Sequence, residues 1–381
     1  MKFLKVLLSG LLAASLFAQP TYGANLPSKF FSLAKSPALK TAGIIIADPS
    51  NNEVLYEEEA DVLRTPASVM KLLSTTSALR TLGADKTYTT SISSTDKPNK
   101  FLLIGDGDPW LTTNQKDATR LHRGYLPYLI NKALSTNPQL KAISLQYKNL
   151  YFQDLQALQE FYKGKLKIYP HQISDTSIAT QELARVSSPK LSDIINYTLL
   201  WSDNTLAARL SFQAAKAQGL TADADGIQIS IEKMLRELNI DSKGLIVKDG
   251  AGLSHDTRIS ARIISQLLIR VKNDPTLALI HESLPTSGVS GTLRRRYITT
   301  APEGVGLIKA KTGWINSTVS LAGYVTVGEK EYVFAVIADH LANKESVRQQ
   351  ARIAIDRMLA SIASPAPLIV TPSAQVETAT A

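Results

Sequence analysis

The sequence contains no cysteine. Disulfides, thiolate catalysis, thiolate metal ligation and a lipid-bearing cysteine are therefore excluded. Histidine is scarce as well: five in 381 residues, with no H-x-x-x-H pair. No metal and no cofactor are expected from such a set. Asp106 and Asp108 in "GDGDP" read as a tight structural turn, not a metal loop. Internal repeats are lacking, and no stretch after the first residues is long and apolar enough to span a bilayer. Any membrane association is expected to be peripheral at most. The net charge of +9 comes from scattered lysines and arginines, with only short clusters such as Arg294-Arg295-Arg296. No basic stripe alternates with aromatics, so nucleic acid is not an expected partner. The charge reads as a solvated basic surface that suits anionic polymers.

What is present begins with "MKFLKVLLSGLLAASLFAQPTYGAN". Lys2 and Lys5 precede a short Leu- and Ala-rich run, Val6 to Ala18, followed by the small residues Thr21 and Gly23. This is signal-peptide anatomy, placed at 1–24, and it predicts an exported protein of the periplasm or cell envelope. The Ala-, Pro- and Thr-rich end, 363–381, is expected to be disordered.

Between these ends, hydrophobic periodicity predicts β elements near both termini and a helical block between them. "AGIIIADPSNNEVLYEE" reads as a hairpin, and Thr65 to Leu82 as a helix with Thr65 as N-cap and Pro66 as its first residue. Helices follow at 191–200, 205–218, 229–238 and 259–271. Strands return at 306–311, 318–327 and 331–339, with a closing amphipathic helix at 345–362. The expected fold class is α/β (α+β): a sheet subdomain from 25–112 and 286–362, an inserted subdomain at 113–185, and a helical subdomain at 186–285. A cleft between the sheet and the helices is the expected site.

One lysine is out of place. In "TPASVMKLL", Lys71 lies in an apolar run, three residues after Ser68 and on the same helical face. Desolvation lowers a lysine's pKa, and a neutral amine can take a proton from a serine hydroxyl. Ser-x-x-Lys alone is weak, because it also occurs at Ser32, Ser94, Ser187 and Ser230. Two further motifs change its weight. "WSDNTL" sets Ser202-Asp203-Asn204 between two helices, and "KAKTGWI" sets Lys311-Thr312-Gly313 on a strand. Ser-x-x-Lys, Ser-Asp-Asn and Lys-Thr-Gly, in that order, form the signature of penicillin-binding proteins and class A β-lactamases.

With "GDGDPWLT", "SPKLSDIINYTLLWSDN", "DGAGLSHDTRIS" and "LPTSGVSGTLRRR" added, the chain resembles the low-molecular-mass class C penicillin-binding proteins of the D-alanyl-D-alanine carboxypeptidase/endopeptidase type. The resemblance covers about 40–112 and 186–360. It implies a penicillin-binding-protein/serine β-lactamase-like transpeptidase fold. It also implies a serine D,D-peptidase that acts on peptidoglycan stem peptides and is acylated by β-lactams. Ser68 would be the nucleophile, Lys71 its base and Ser202 the proton relay to the leaving amine. Asn204 would hold the substrate amide, Lys311 would supply positive charge, and Thr312 would help bind the terminal carboxylate. Gly313 would let substrate approach the strand, and the backbone N–H groups of Ser68 and Trp314 would form the oxyanion hole. Two departures stand out. Trp314 occupies a position where the family more often has a small or hydroxyl residue, and the stretch between Ser68 and Ser202 is shorter than in the larger members.

Two other readings share part of this pattern. A class A β-lactamase needs a deacylating glutamate in a Glu-x-x-Leu-Asn context, and Glu232 and Glu237 in "EKMLRELN" both miss that spacing. A non-catalytic peptidoglycan-binding protein would have no use for a nucleophile–base pair.

Overall fold

The strands from the two ends of the chain meet in one sheet. The structure is a computed structural model that describes residues 26–364; the expected signal peptide and most of the expected disordered tail lie outside them. After helix α1 (Ser28–Ala34) come β1 (Ala42–Ala47) and β2 (Val54–Glu58). A 3₁₀ turn, Ala67–Met70, leads into α2 (Lys71–Leu82). Strands β3 (Thr89–Ser94) and β4 (Lys100–Gly105) are followed by α3 (Gln115–Leu121), α4 (Leu126–Leu134) and β5 (Ala142–Lys148). Then come α5 (Phe152–Phe161), β6 (Lys167–Gln172) and β7 (Gln181–Ser187). The helical block is α6 (Leu191–Trp201), α7 (Asn204–Ala217), α8 (Ala224–Glu237), α9 (Ala261–Asn273) and the short α10 (Ala278–Glu282). Strands β8 (Ile308–Ile315), β9 (Thr318–Val327) and β10 (Lys330–Ala338) and helix α11 (Glu345–Ala360) complete the described chain.

The first sheet has the order β2-β1-β10-β9-β8 and is antiparallel throughout. In β1 every residue is buried, because both faces of the sheet are covered. Ile44 and Ile46 pack with Phe334, Val336 and the α11 residues Ile355 and Leu359. Ile45 and Ala47 point the other way, to Ala335 and Ile337 and to the α9 residues Leu267, Leu268 and Val271. That second face carries the helical block, and helix α2, which begins at Lys71, runs through its core with Leu72, Leu73 and Leu79 buried.

The second sheet has the order β6-β5-β4-β3-β7. It holds its own core of Ile92, Phe101, Leu103, Leu129, Ile143, Leu145 and Leu158. This corrects the expected division at residue 112: β3 and β4 belong with β5–β7, so the sheet starts at Thr89. Strand periodicity identifies a strand but not its neighbours. The segment 113–185, which lacks a clear period, nonetheless contains three helices and three strands. Arg209 of α7 joins this unit to the helical block, with Nη2 donating to Asp154 Oδ1 at 2.8 Å and Nη1 to the Pro109 carbonyl at 3.1 Å. Trp110 packs beside Tyr197 with ring centroids 5.1 Å apart. No helix among the described residues is long and apolar enough to cross a membrane.

Candidate active site

Three chain segments converge on Lys71. Its side chain is fully buried, and its amine makes three contacts. Nζ lies 2.7 Å from Ser68 Oγ, 2.7 Å from Asn204 Oδ1 and 2.9 Å from the Ala251 carbonyl oxygen. Burial lowers its pKa to about 8, against the opposing pull of Asp249 and Asp203. In the neutral amine, two N–H bonds serve the Asn204 and Ala251 oxygens, which can only accept. The lone pair is left for the remaining neighbour, so the Ser68 hydroxyl donates to it.

Ser68 is held by an unusual turn. The expected capping by Thr65 is not what the chain does: the Thr65 hydroxyl accepts from Arg258 at 2.9 Å, and Pro66 precedes a 3₁₀ turn, not an α-helix. Ala67 has φ +51°, a left-handed conformation that strains a residue with a Cβ. The sheet fixes that conformation from two sides. Ser320 of β9 donates to the Pro66 carbonyl at 2.6 Å. Asp339, just past β10, accepts from Arg64 at 2.8 Å and from the Thr65 N–H at 3.2 Å.

Ser202 ends α6 in the left-handed region, φ +60°. Asp203 then caps α7, accepting from the Leu206 N–H at 2.9 Å. This tight reversal sets the Ser202 and Asn204 side chains on the cleft side. Asn204 reaches Lys71, and Ser202 Oγ lies 2.7 Å from Nζ of the fully buried Lys311. The Lys311 amine also donates to the Thr312 carbonyl at 2.8 Å. Burial, then the nearby Lys71, pushes its pKa well below the usual lysine range. The Thr312 hydroxyl is 3.0 Å from that of Thr292.

Gly313 has a different reason to be glycine from the expected one. A Cβ there would sit 2.1 Å from Ser320 Oγ and 2.8 Å from the Pro66 carbonyl. The missing side chain lets β8 lie against the turn that carries Ser68. Trp314 follows at the edge, 37% exposed, with the Arg348 guanidinium 5.5 Å from its ring centre.

The structure thus brings these residues into two neighbouring hydrogen-bonded groups, Ser68–Lys71–Asn204 and Ser202–Lys311–Thr312, with Gly313 packed against the turn that carries Ser68 and Trp314 following it at the exposed edge. It also reveals the loop 249–254, which the sequence marks only as part of a resemblance. Asp249 Oδ1 accepts from the Ala251 N–H at 2.7 Å, and Oδ2 from the Ser254 N–H at 2.7 Å. That anchorage aims the Ala251 carbonyl at Lys71. Gly252, at φ +77°, lets the loop touch the nucleophile's turn: a Cβ would fall 1.9 Å from the Ala67 carbonyl oxygen. "DGAG" is the signal that could have disclosed a loop pressed against other backbone.

Known proteins resemble the chain in sequence and in fold. The chain is 24% identical over 388 residues to carboxypeptidase DacB of Mycolicibacterium smegmatis, covering 87% of this chain and 83% of that one. Penicillin binding protein 4 of Haemophilus influenzae superposes with a TM-score of 0.70 at 17% identity, over 86% of this chain and 97% of that chain. A penicillin G-acylated endopeptidase of Bdellovibrio bacteriovorus does so with 0.58 at 15% identity, over 85% and 93%. The fold is that of the penicillin-binding proteins. Residues 28–132 and 163–362 match the D-Ala-D-Ala carboxypeptidase 3 (S13) family, a family of serine peptidases, and the chain belongs to it.

Proposed function

We propose that this D-Ala-D-Ala carboxypeptidase acts through an acyl-enzyme on Ser68, with Lys71 as general base. The carrying observation is the Lys71 amine, which has two carbonyl acceptors and Ser68 Oγ at 2.7 Å. Ser68 Oγ attacks the carbonyl carbon of the penultimate D-Ala while Lys71 takes its proton. The tetrahedral oxyanion is held by the backbone N–H groups of Ser68 and Trp314, which the close approach at Gly313 supports. The intermediate collapses as the C–N bond breaks, and Ser202, bonded to Lys311, passes a proton to the departing amine. Ser202 is reprotonated at the expense of Lys71, which is thereby a neutral base again. Water then attacks the ester, Lys71 takes its proton and returns it to Ser68 Oγ as the ester C–O bond breaks, and the shortened peptide leaves. Asn204 orients the substrate amide and Thr312 its carboxylate. A carboxylate arriving beside Lys311 restores the ammonium that burial disfavours.

The same chemistry opens D,D-cross-links, and a β-lactam acylates Ser68 in place of the peptide. The natural partners are peptidoglycan stem peptides, met after export in the periplasm or cell envelope. Neither candidate deacylating glutamate is bonded to Ser68 or Lys71: Glu232 accepts from Gln228 and Glu237 from Arg80. That favours a peptidase over a β-lactamase.

Intact-mass measurement after exposure to benzylpenicillin tests the reading. One adduct is expected on the wild type and none on Ser68→Ala. Destroyed penicillin without an adduct would mean a β-lactamase. Intact penicillin without an adduct would mean a non-catalytic binder.

A further inference from the structure

Of the three consecutive arginines in "TLRRR", one has an evident structural task. Arg296 is buried against Asp356, donating from Nε at 2.7 and 2.9 Å. Arg294 is different. It is exposed, and among the described residues it pairs with no carboxylate. Its guanidinium lies 5.2 Å from the ring centre of Trp201, which itself is 43% exposed and directly precedes Ser202. One further bond, from Nη1 to the Gly291 carbonyl at 3.0 Å, holds the guanidinium itself.

The turn that carries Arg294 is built onto the cleft. It starts at Gly291, φ +51°, where a Cβ would lie 2.2 Å from the Leu200 carbonyl at the end of α6. Thr292, the next residue, places its hydroxyl 3.0 Å from that of Thr312. A pair of hydroxyls therefore stands at the β8 end of this turn, and Arg294, two residues after Thr292, lies on the same turn. Trp314, on the same strand as Thr312, adds no hydroxyl to that end.

We propose that Thr292 and Arg294 are specificity-determining residues that recognise the free C-terminal carboxylate of the substrate. Thr292 donates a hydroxyl beside that of Thr312, and Arg294 leaves its place over Trp201 to pair with the carboxylate. A planar guanidinium matches a carboxylate in a fork, and that charge-assisted pair replaces the Trp201 contact and the Gly291 bond that Arg294 gives up. This rests on the reading that Ser68 cleaves D-Ala-D-Ala ends.

The test compares two peptides, diacetyl-L-lysyl-D-alanyl-D-alanine and its C-terminal carboxamide, on wild type, Arg294→Ala, Arg294→Lys and Thr292→Val. The wild type is expected to prefer the acid. In Arg294→Ala the acid-over-amide ratio of kcat/KM should fall at least tenfold, chiefly through KM for the acid. Arg294→Lys should regain part of it, and Thr292→Val should lower it. A wild type without that preference, or an Arg294→Ala ratio equal to the wild-type one, overturns the assignment. Equal loss on both peptides also overturns it, since that marks a structural role. Benzylpenicillin labelling of Ser68 in the wild type separates this failure from failure of the underlying reading: no label sinks the latter, whereas a label with an unmoved ratio sinks only the carboxylate assignment.

Discussion

At the scale of single residues, Lys71 has its chemistry set by what surrounds it. An amine buried among carbonyl oxygens, with the Asp249 and Asp203 carboxylates near enough only to moderate the shift, titrates at about 8. The proton-free form is the base, so the rate of acylation by benzylpenicillin should rise with pH up to about 8 and level above it. Lys71→Ala should slow acylation by roughly 10²–10⁴-fold while circular dichroism keeps its native form. A wild-type rate in that variant would remove Lys71 from the mechanism. The same depressed value has a stability sign. The unfolded chain holds the Lys71 proton up to the ordinary lysine range, so stability rises with pH between about 8 and 10.5. Residue types and spacing single out Ser68, Lys71, Ser202, Asn204 and Lys311, because each enters the proposed site through its side chain. Ala251 acts through a carbonyl, and alanine carries no mark of that in a sequence.

At the scale of elements, the decisive piece is the 3₁₀ turn Ala67–Met70, pressed between the loop 249–254 and strand β8. Capping statistics favour a plain helix from Thr65, and tertiary contacts override them: Arg258 takes the Thr65 hydroxyl, and Ser320 and Asp339 hold the turn in its strained form. Periodic elements are more legible. Strand β9 occupies the expected 318–327, since its alternation is long and bounded by turns. Helix α8 starts at Ala224, five residues before the expected start, because Asp223 caps it, accepting from the Gly226 N–H at 2.9 Å. Close approach gives the test at this scale. Gly313→Ala puts a methyl 2.1 Å from Ser320 Oγ, and overpacking of that kind costs about 1–3 kcal/mol. Urea unfolding should show that loss, and acylation should fall at least tenfold as the turn shifts. Unchanged acylation with lowered stability would mean that the turn is rigid without β8.

At the scale of the molecule, two sheets with separate cores are joined through α7, and the junction contains a buried carboxyl out of balance. Asp108 is 1% exposed; Oδ1 accepts from the Trp110 N–H at 2.7 Å, and Oδ2 has no partner. Burial first, then Asp154 and Asp106, push its pKa up to about 7, against the Trp110 N–H and Arg209. A folded-state value above the unfolded one means that stability falls as pH rises from about 4 to 7. Asp108→Asn keeps the acceptor and removes the charge. It should stabilise the fold more at pH 8 than at pH 5.5, by a difference on the order of 2 kcal/mol at most, read as a larger rise in melting temperature at pH 8. An equal shift at both pH values would place the strain elsewhere. Joining of this kind is not legible from local pattern, which finds β3 and β4 but not the sheet that they enter.

The order of the first sheet has one more consequence. β1 pairs on one side with β10, Ala42 opposite Ala338, so the support beneath Ser68 depends on residues made about 270 positions after it. Lys71 and Ser68 leave the ribosome early, yet Ser320, Asp339 and Lys311 are all still to come. The growing chain therefore has a serine and a lysine but no strained turn, no oxyanion cradle and no lysine-bonded Ser202. On the proposed mechanism the site is complete only once β10 pairs along β1, and a chain truncated before β10 is expected not to be acylated by benzylpenicillin.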